Sequence, residues 1–188
     1  MNDINGGCRL LMQASFWPIA DICLAEKIAG DHQAESAFVF NRLNYYRAAP
    51  VAMKAMMALE EAIKALSIPA AIGELVKMRV SQINGCAFCL NLHAPEALAA
   101  GVSQQKLNVL SAWRESSAFD AKERAALRWA ETLTRLETTG APDPDYRELA
   151  AAFDERERVE LTLLITTINA WNRFAVGFRA QHPTDQAS

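Results

Sequence analysis

The sequence predicts an all-α protein, a compact helical bundle in a single domain. Residues with high helix propensity (Ala, Leu, Met, Glu and Lys) dominate long stretches of the chain. Apolar side chains recur at intervals of three and four residues rather than alternating. Cap and turn residues separate these stretches. With 188 residues, 51% hydrophobic and 22% charged, the chain can bury one core without disulfide or metal staples.

A break at Ser67 to Pro69 separates the first two predicted helices. Residues 50–66 (PVAMKAMMALEEAIKAL) have the composition and spacing of an amphipathic helix. Ser67 is predicted to cap the next helix, and Pro69 suits its first turn. This second helix runs to the dipeptide Asn84-Gly85, the strongest turn signal in the sequence.

A third helix is predicted to begin near Cys86 and to end at Gly101, a typical C-terminal stop. Pro95 lies inside it, and because proline lacks a backbone N–H, we expect a kink or break over residues 91–94. Ser103 then caps a short fourth helix.

The C-terminal half continues the helical pattern. Asp120, followed three residues later by Glu123, predicts a capping box at the start of a helix. Residues 138–144 are predicted to form a loop, 145–153 a short helix and 154–179 a long last helix.

The domain limits are less clearly marked. We predict a helical domain over residues 41–182 and a flexible tail over 183–188. Residues 1–40 are either an N-terminal extension or an upstream mis-assigned start; they show no visible chemistry, and one or two amphipathic helices are possible there, for example around 34–42. No run of alternating residues predicts a strand, and no internal repeat is apparent.

Composition excludes several classes of function. The formal net charge is -3 and the basic residues are scattered, so we expect no nucleic acid partner. The apolar stretches 10–24 and 159–178 are interrupted by polar or charged residues, so we expect neither a signal peptide nor a membrane helix. Four cysteines, unevenly spaced, do not make a secreted disulfide scaffold. A soluble, cytoplasmic protein is the expectation.

The chemistry is concentrated at the start of the third helix. Cys86, Cys89 and His93 lie at i, i+3 and i+7, within roughly 60° of one another around a helix. The free N–H groups and positive dipole end of a helix N-terminus favour a thiolate. His93 lies one turn beyond Cys89, where it could exchange a proton with the thiol.

Glu74 is the predicted partner of His93. If the chain folds back at Asn84-Gly85, Glu74 and His93 lie nearly level on two antiparallel helices. A carboxylate in that position would orient the imidazole, as in other nucleophile–base–orienter sets. This prediction requires Glu74 to face the third helix.

Simpler interpretations remain open for these residues. The two cysteines could be inert buried thiols, and Glu74 could form a surface ion pair with Lys77. Cys86, Cys89, His93 and Glu74 could together hold zinc, but there is no second CxxC, and His32 and His182 lie in poorly patterned ends. We therefore expect neither a metal nor a cofactor.

The segment from Glu74 to His93 (ELVKMRVSQINGCAFCLNLH) resembles the core of the alkylhydroperoxidase D-like (AhpD-like) group, within the carboxymuconolactone decarboxylase superfamily. The hallmark of that group is Glu, eleven residues, Cys, two residues, Cys, three residues and His. It is matched without gaps, and the resemblance extends over about residues 40–180. Phe88 stands where better-studied members carry a second histidine, so part of their proton relay is missing.

The resemblance implies a thiol-dependent peroxidase that reduces small hydroperoxides. We expect Cys89 to attack the O–O bond and to become a sulfenic acid, which Cys86 then converts to a disulfide. Glu74 and His93 would move the proton. An external dithiol, a lipoyl-protein or a thioredoxin-like donor, would attack Cys86 if the helix start is the exposed end. The family also implies a homo-oligomer, a trimer or hexamer.

Three alternatives follow from the same residues. The roles of the two cysteines could be reversed, as in thioredoxin-type motifs. The pair could serve a redox-sensing or disulfide-exchange module that does not turn over peroxide. A carboxymuconolactone-type decarboxylase is the third alternative, although that chemistry does not require a CxxC.

Overall fold

The computed structural model describes residues 39–184, and predictions for residues 1–38 and 185–188 lie outside this part of the chain. The helices of this part are α1 (Tyr45–Ala48), α2 (Pro50–Lys64), α3 (Ala70–Asn84), α4 (Ala87–Ala99), α5 (Gln104–Val109), α6 (Ala121–Thr134), α7 (Leu136–Thr139), α8 (Asp143–Ala152) and α9 (Glu155–Phe178). A short 3-10 turn follows α5, and two-residue strands β1 (Val39–Phe40) and β2 (Ala180–Gln181) pair antiparallel. The all-α prediction is confirmed.

Helix α3 lies at the centre of the bundle and packs against α4, α6 and α9. Its buried side chains occupy more than one face, because it has neighbours on several sides. Leu75 and Val76 on α3, Leu127 on α6, and Leu161 and Ile165 on α9 are almost completely buried. The helix that carries Glu74 is therefore held by the core on several sides.

Two helix starts and one helix end have the structure that their local sequence favours. Asp120 accepts a hydrogen bond from the Glu123 backbone N–H (2.8 Å), and the Glu123 carboxylate accepts one from the Asp120 N–H (3.0 Å). The predicted capping box is confirmed, and Asp154 and Glu157 form a second one at the start of α9. Gly85 ends α3 in the left-handed region, at φ 66°, a conformation that suits glycine because it has no Cβ.

Three local predictions are wrong. The break predicted at Pro95 is absent, since helix α4 is uninterrupted through Pro95; the Asn91 carbonyl, which loses its helical donor, belongs to an exposed residue that water can reach. Residues 138–144 contain the end of α7 and the start of α8, which leaves only a short connection. Ser67 does not cap α3; its N–H and hydroxyl donate to Glu160 instead.

The paired strands connect the two ends of the described chain. Val39 is opposite Gln181, and Phe40 is opposite Ala180, so the helix expected around 34–42 is wrong at these two residues. A pairing this short leaves no alternating pattern in the sequence. Over residues 39–184, the helices lack the combination of length and apolar character that a membrane span would need.

Candidate active site

The two cysteines lie at the N-terminus of α4. Cys86 is the N-cap residue and Cys89 lies in the first turn, where its backbone N–H donates to the Cys86 sulfur at 3.2 Å. The two sulfurs form a disulfide, with 5.3 Å between the Cα atoms. The turn at Gly85 places the pair there, since the Cys86 N–H donates to the Ser81 carbonyl at 3.0 Å. The predicted position of the CxxC is confirmed.

Both cysteines are buried, which the sequence analysis left open as one interpretation. Cys86 is 1% exposed and Cys89 is 3% exposed. They pack with Phe88, with Ala175 near the end of α9, and with Ala180 of β2. Attack of the reductant on Cys86 was expected only if the helix start is the exposed end, and that condition is not met, because elements distant in sequence cover the helix start.

Glu74 faces α4, as its predicted pairing with His93 requires. Glu74 Oε2 lies 3.3 Å from His93 Nδ1, and the His93 side chain is only 4% exposed. The alternative pairing is also present, because Lys77 Nζ lies 2.9 Å from Glu74 Oε1. Glu74 therefore contacts Lys77 with one carboxylate oxygen and His93 with the other.

Glu96 is a member of the site that the sequence analysis missed. Its Oε2 lies 2.7 Å from His93 Nδ1, closer than Glu74, and its side chain is 26% exposed. Glu96 follows His93 by three residues on the same helix, a spacing that places two side chains side by side. That spacing was a usable signal in the sequence.

The charged groups of the site stabilise the ionised forms of Glu74 and His93. Burial opposes ionisation of Glu74, but the His93 hydrogen bond and the Lys77 charge outweigh it and lower the pKa of Glu74. Burial likewise opposes protonation of His93, yet the nearby carboxylate of Glu74 and the hydrogen bond to Glu96 raise the pKa of His93 above its ordinary value. The arrangement favours carboxylates beside an imidazolium.

These pKa shifts predict a stability maximum at mildly acidic pH. The pKa of His93 is raised from 6.5, so its contribution is complete below pH 6.5 and is lost as the pH rises through the folded-state pKa. The pKa of Glu74 is lowered from 4.5, so its contribution is complete above pH 4.5 and is lost as the pH falls through the folded-state pKa. Between these limits both contributions are present in full.

Urea unfolding of wild-type protein and His93→Gln, followed as a function of pH, measures this effect. We expect the wild-type midpoint to decline more steeply above pH 6.5 than the midpoint of the variant. Equal slopes for the two proteins in that range would contradict the assigned charge of His93.

The same carboxylates are close enough to consider a metal site. Ligand atoms of Glu74, His93 and Glu96 lie within 4.8 Å of one another, a grouping that includes neither cysteine. Lys77 already places an ammonium group against Glu74, and a protonated His93 supplies a second positive charge. We therefore assign the cluster as an ion-pair network.

A set of buried amides fixes the turn that precedes the cysteines. Asn84 Nδ2 donates to Asn169 Oδ1 (2.9 Å) and to Asn172 Oδ1 (2.8 Å), both on α9. Asn172 Nδ2 in turn donates to Ser81 Oγ at 3.1 Å. These bonds attach the end of α3 to α9, so the two asparagines of α9 act in packing.

Comparison with known proteins identifies the family of the chain. The model of the carboxymuconolactone decarboxylase family matches residues 50–132. The uncharacterized protein YdfG of Bacillus subtilis is 40% identical over 135 residues, which cover 72% of this chain and 92% of YdfG.

Solved structures show the same fold. A protein of unknown function from Agrobacterium tumefaciens, proposed to be the antioxidant defence protein AhpD, is 45% identical with a TM-score of 0.75, over 77% of this chain and 99% of that one. The debrominase Bmp8 shares the fold at 22% identity and a TM-score of 0.67, over 73% of this chain and 74% of its own. The chain therefore belongs to the carboxymuconolactone decarboxylase family, in its AhpD-like group.

Proposed function

We propose that this protein is a thiol-dependent peroxidase that reduces small hydroperoxides through a dithiol–disulfide cycle of Cys86 and Cys89. The observation that carries the proposal is the disulfide at the N-terminus of α4, one helical turn before a buried His93 that contacts Glu74. A helix N-terminus and a nearby imidazole both favour the thiolate that such a reaction needs. The antioxidant role proposed for the Agrobacterium relative supports the same chemistry.

The proposed cycle begins with the dithiol. The Cys89 thiolate attacks one peroxide oxygen, so an S–O bond forms, the O–O bond breaks, and the alkoxide leaves as an alcohol once it is protonated. Cys86 then attacks the sulfenic sulfur of Cys89; the S–S bond forms and hydroxide leaves as water. Peroxide is reduced by two electrons, and the pair of thiols is oxidised by two.

His93 and Glu74 handle the proton in this scheme. In the reduced protein His93 holds the thiol proton as an imidazolium beside the Cys89 thiolate, and it gives that proton to the departing alkoxide while Glu74 orients the ring through Nδ1. Phe88 adds no ionisable group between the cysteines, so His93 is the imidazole that serves this step.

An external dithiol must then supply two electrons and two protons to regenerate the pair. A lipoyl-protein or thioredoxin-like donor has the required chemistry. Because Cys86 and Cys89 are buried beneath Ala175 and Ala180, reduction requires β2 and the end of α9 to move aside. We place the protein in the cytoplasm as a homo-oligomer, a trimer or hexamer, without a membrane or nucleic acid partner.

A turnover assay tests the proposal. We expect steady consumption of tert-butyl hydroperoxide in the presence of a dithiol, with many equivalents reduced per protein chain. Cys23→Ser serves as a matched control for loss of a thiol outside the CxxC, and it should retain the full rate. Failure to observe turnover with several peroxides and dithiols would refute the proposed peroxidase activity.

The burial of the disulfide favours a second candidate, a redox-sensing or disulfide-exchange module. A sulfur pair with so little exposure reacts slowly with partners that cannot reach it. In that case the reduced protein consumes one equivalent of peroxide and stops. The decarboxylase alternative, which the family name suggests, would instead release carbon dioxide from a muconolactone-type acid in the Cys86→Ser, Cys89→Ser double variant.

A further inference from the structure

His93 Nδ1 faces two carboxylates rather than one. Glu96 Oε2 lies 2.7 Å from this nitrogen and Glu74 Oε2 lies 3.3 Å from it. The shorter distance is typical of a charge-assisted hydrogen bond. The nearer partner of His93 is therefore Glu96, a residue that the peroxidase scheme above does not use.

We propose that Glu96 is a positioning residue of the redox site, which together with Glu74 holds His93 as an imidazolium that stabilises the thiolate of reduced Cys89. The catalytic consequence rests on the proposed function. The charge of His93, in contrast, can be measured whether or not the protein consumes peroxide.

A count of the charges around His93 supports this role. From α3, Glu74 and Lys77 face the ring, and from α4 Glu96 does so. From α2, the buried carboxylate of Glu60 adds a charge that acts on Lys77. With a neutral imidazole the three carboxylates exceed the one ammonium group by two negative charges, beside a His93 side chain that is 4% exposed. An imidazolium halves that excess, so the cluster favours the charged form of His93.

The two carboxylates have different surroundings. The two carboxylate oxygens of Glu74 have different neighbours. Lys77 Nζ lies 2.9 Å from Oε1, and Oε2 faces His93. Glu96 directs its Oε2 to His93 at the shorter distance and keeps a more exposed side chain, 26% against 13%. Loss of Glu96 should therefore lower the pKa of His93, as loss of Glu74 should.

Because both carboxylates approach Nδ1, the other ring nitrogen is the one through which His93 acts on sulfur or substrate. His93 follows Cys89 by four residues on α4, which places their side chains on the same side of the helix. A fixed positive charge there lowers the pKa of the thiol in the dithiol state. Glu96 would in this way act on the sulfur through His93 without touching the substrate.

The test is an NMR titration of the His93 ring in wild-type protein, Glu96→Gln and Glu74→Gln, each in the reduced form. We expect Glu96→Gln to raise the acid dissociation constant of His93 about tenfold. The ultraviolet signal of the Cys89 thiolate should appear at higher pH in the same variant. Glu61→Gln is the matched control, because Glu61 is an exposed carboxylate that pairs with Lys64 and should leave both titrations unchanged.

A His93 titration in Glu96→Gln that superimposes on that of the wild type would overturn the proposal, even if the variant is less stable. Glu96→Asp should restore part of the effect, because it restores the charge. If Glu96→Gln does not fold, carboxyl NMR of wild-type Glu96 decides the question: its resonance should show an inflection at the pKa of His93. If the protein proves not to be a peroxidase, these titrations still report the charge of His93. Failure of the peroxidase proposal can therefore be distinguished from failure of the proposal for Glu96.

Discussion

Cys89→Ser is expected to lower peroxide consumption by more than about a hundredfold, because the serine hydroxyl is a far weaker nucleophile than a thiolate. Cys86→Ser should behave differently. Its Cys89 can still attack peroxide once and become a sulfenic acid, but no second thiol is present to form the disulfide. The two variants therefore separate the attacking sulfur from the resolving one.

Dimedone labelling followed by mass spectrometry measures this difference. We expect one sulfenic adduct on Cys89 in the Cys86→Ser protein after a single addition of peroxide. The Cys8→Ser variant controls for reaction at a cysteine outside the pair. An adduct that accumulates on Cys86 in Cys89→Ser, with none on Cys89 in the reciprocal variant, would reverse the assigned order.

Glu131→Ala should destabilise the domain by about 3 kcal/mol, the cost typical of removing one member of a buried ionic cluster. The Glu131 carboxylate is 8% exposed and accepts hydrogen bonds from Arg79 Nε (2.7 Å), Trp113 Nε1 (2.9 Å) and Arg114 (2.6 Å). Its removal leaves the buried Trp113 N–H and the Arg79 guanidinium without their acceptor.

Urea unfolding followed by circular dichroism gives this change in the free energy of unfolding. Glu61→Ala, which removes a carboxylate from an exposed pair with Lys64, should change it by no more than about 0.5 kcal/mol. Similar values for the two variants would show that the Glu131 cluster contributes no more than an ordinary surface ion pair.

Local signals allowed most helix boundaries to be predicted. The capping box of Asp120 and Glu123 and the left-handed Gly85 depend on a few adjacent residues, so their structure can be read from the sequence alone. The pairing of Glu74 with His93 was predicted by counting residues on either side of that turn, because two antiparallel helices preserve the count.

Features that depend on distant residues were not predictable in the same way. The burial of Cys86 is set by α9 and β2, which lie about ninety residues further along the chain. Glu131 lies on α6, a helix rich in charged residues, and only the approach of Arg79 and Trp113 distinguishes it from a surface glutamate. The contact of Glu96 with His93 differs from these, because it depends on an i, i+3 spacing within one helix that is visible in the sequence.

The burial of the sulfur pair limits which thiols can reach the disulfide. Thiol–disulfide exchange needs an attacking thiolate to approach one sulfur along the S–S axis, and Cys86 and Cys89 offer almost no surface for that approach. A strong reductant that does not displace β2 meets a kinetic barrier, whatever its potential. The fit of a donor to this surface therefore matters for the rate at which the disulfide is reduced. A weaker reductant that fits can react faster than a stronger reductant that does not.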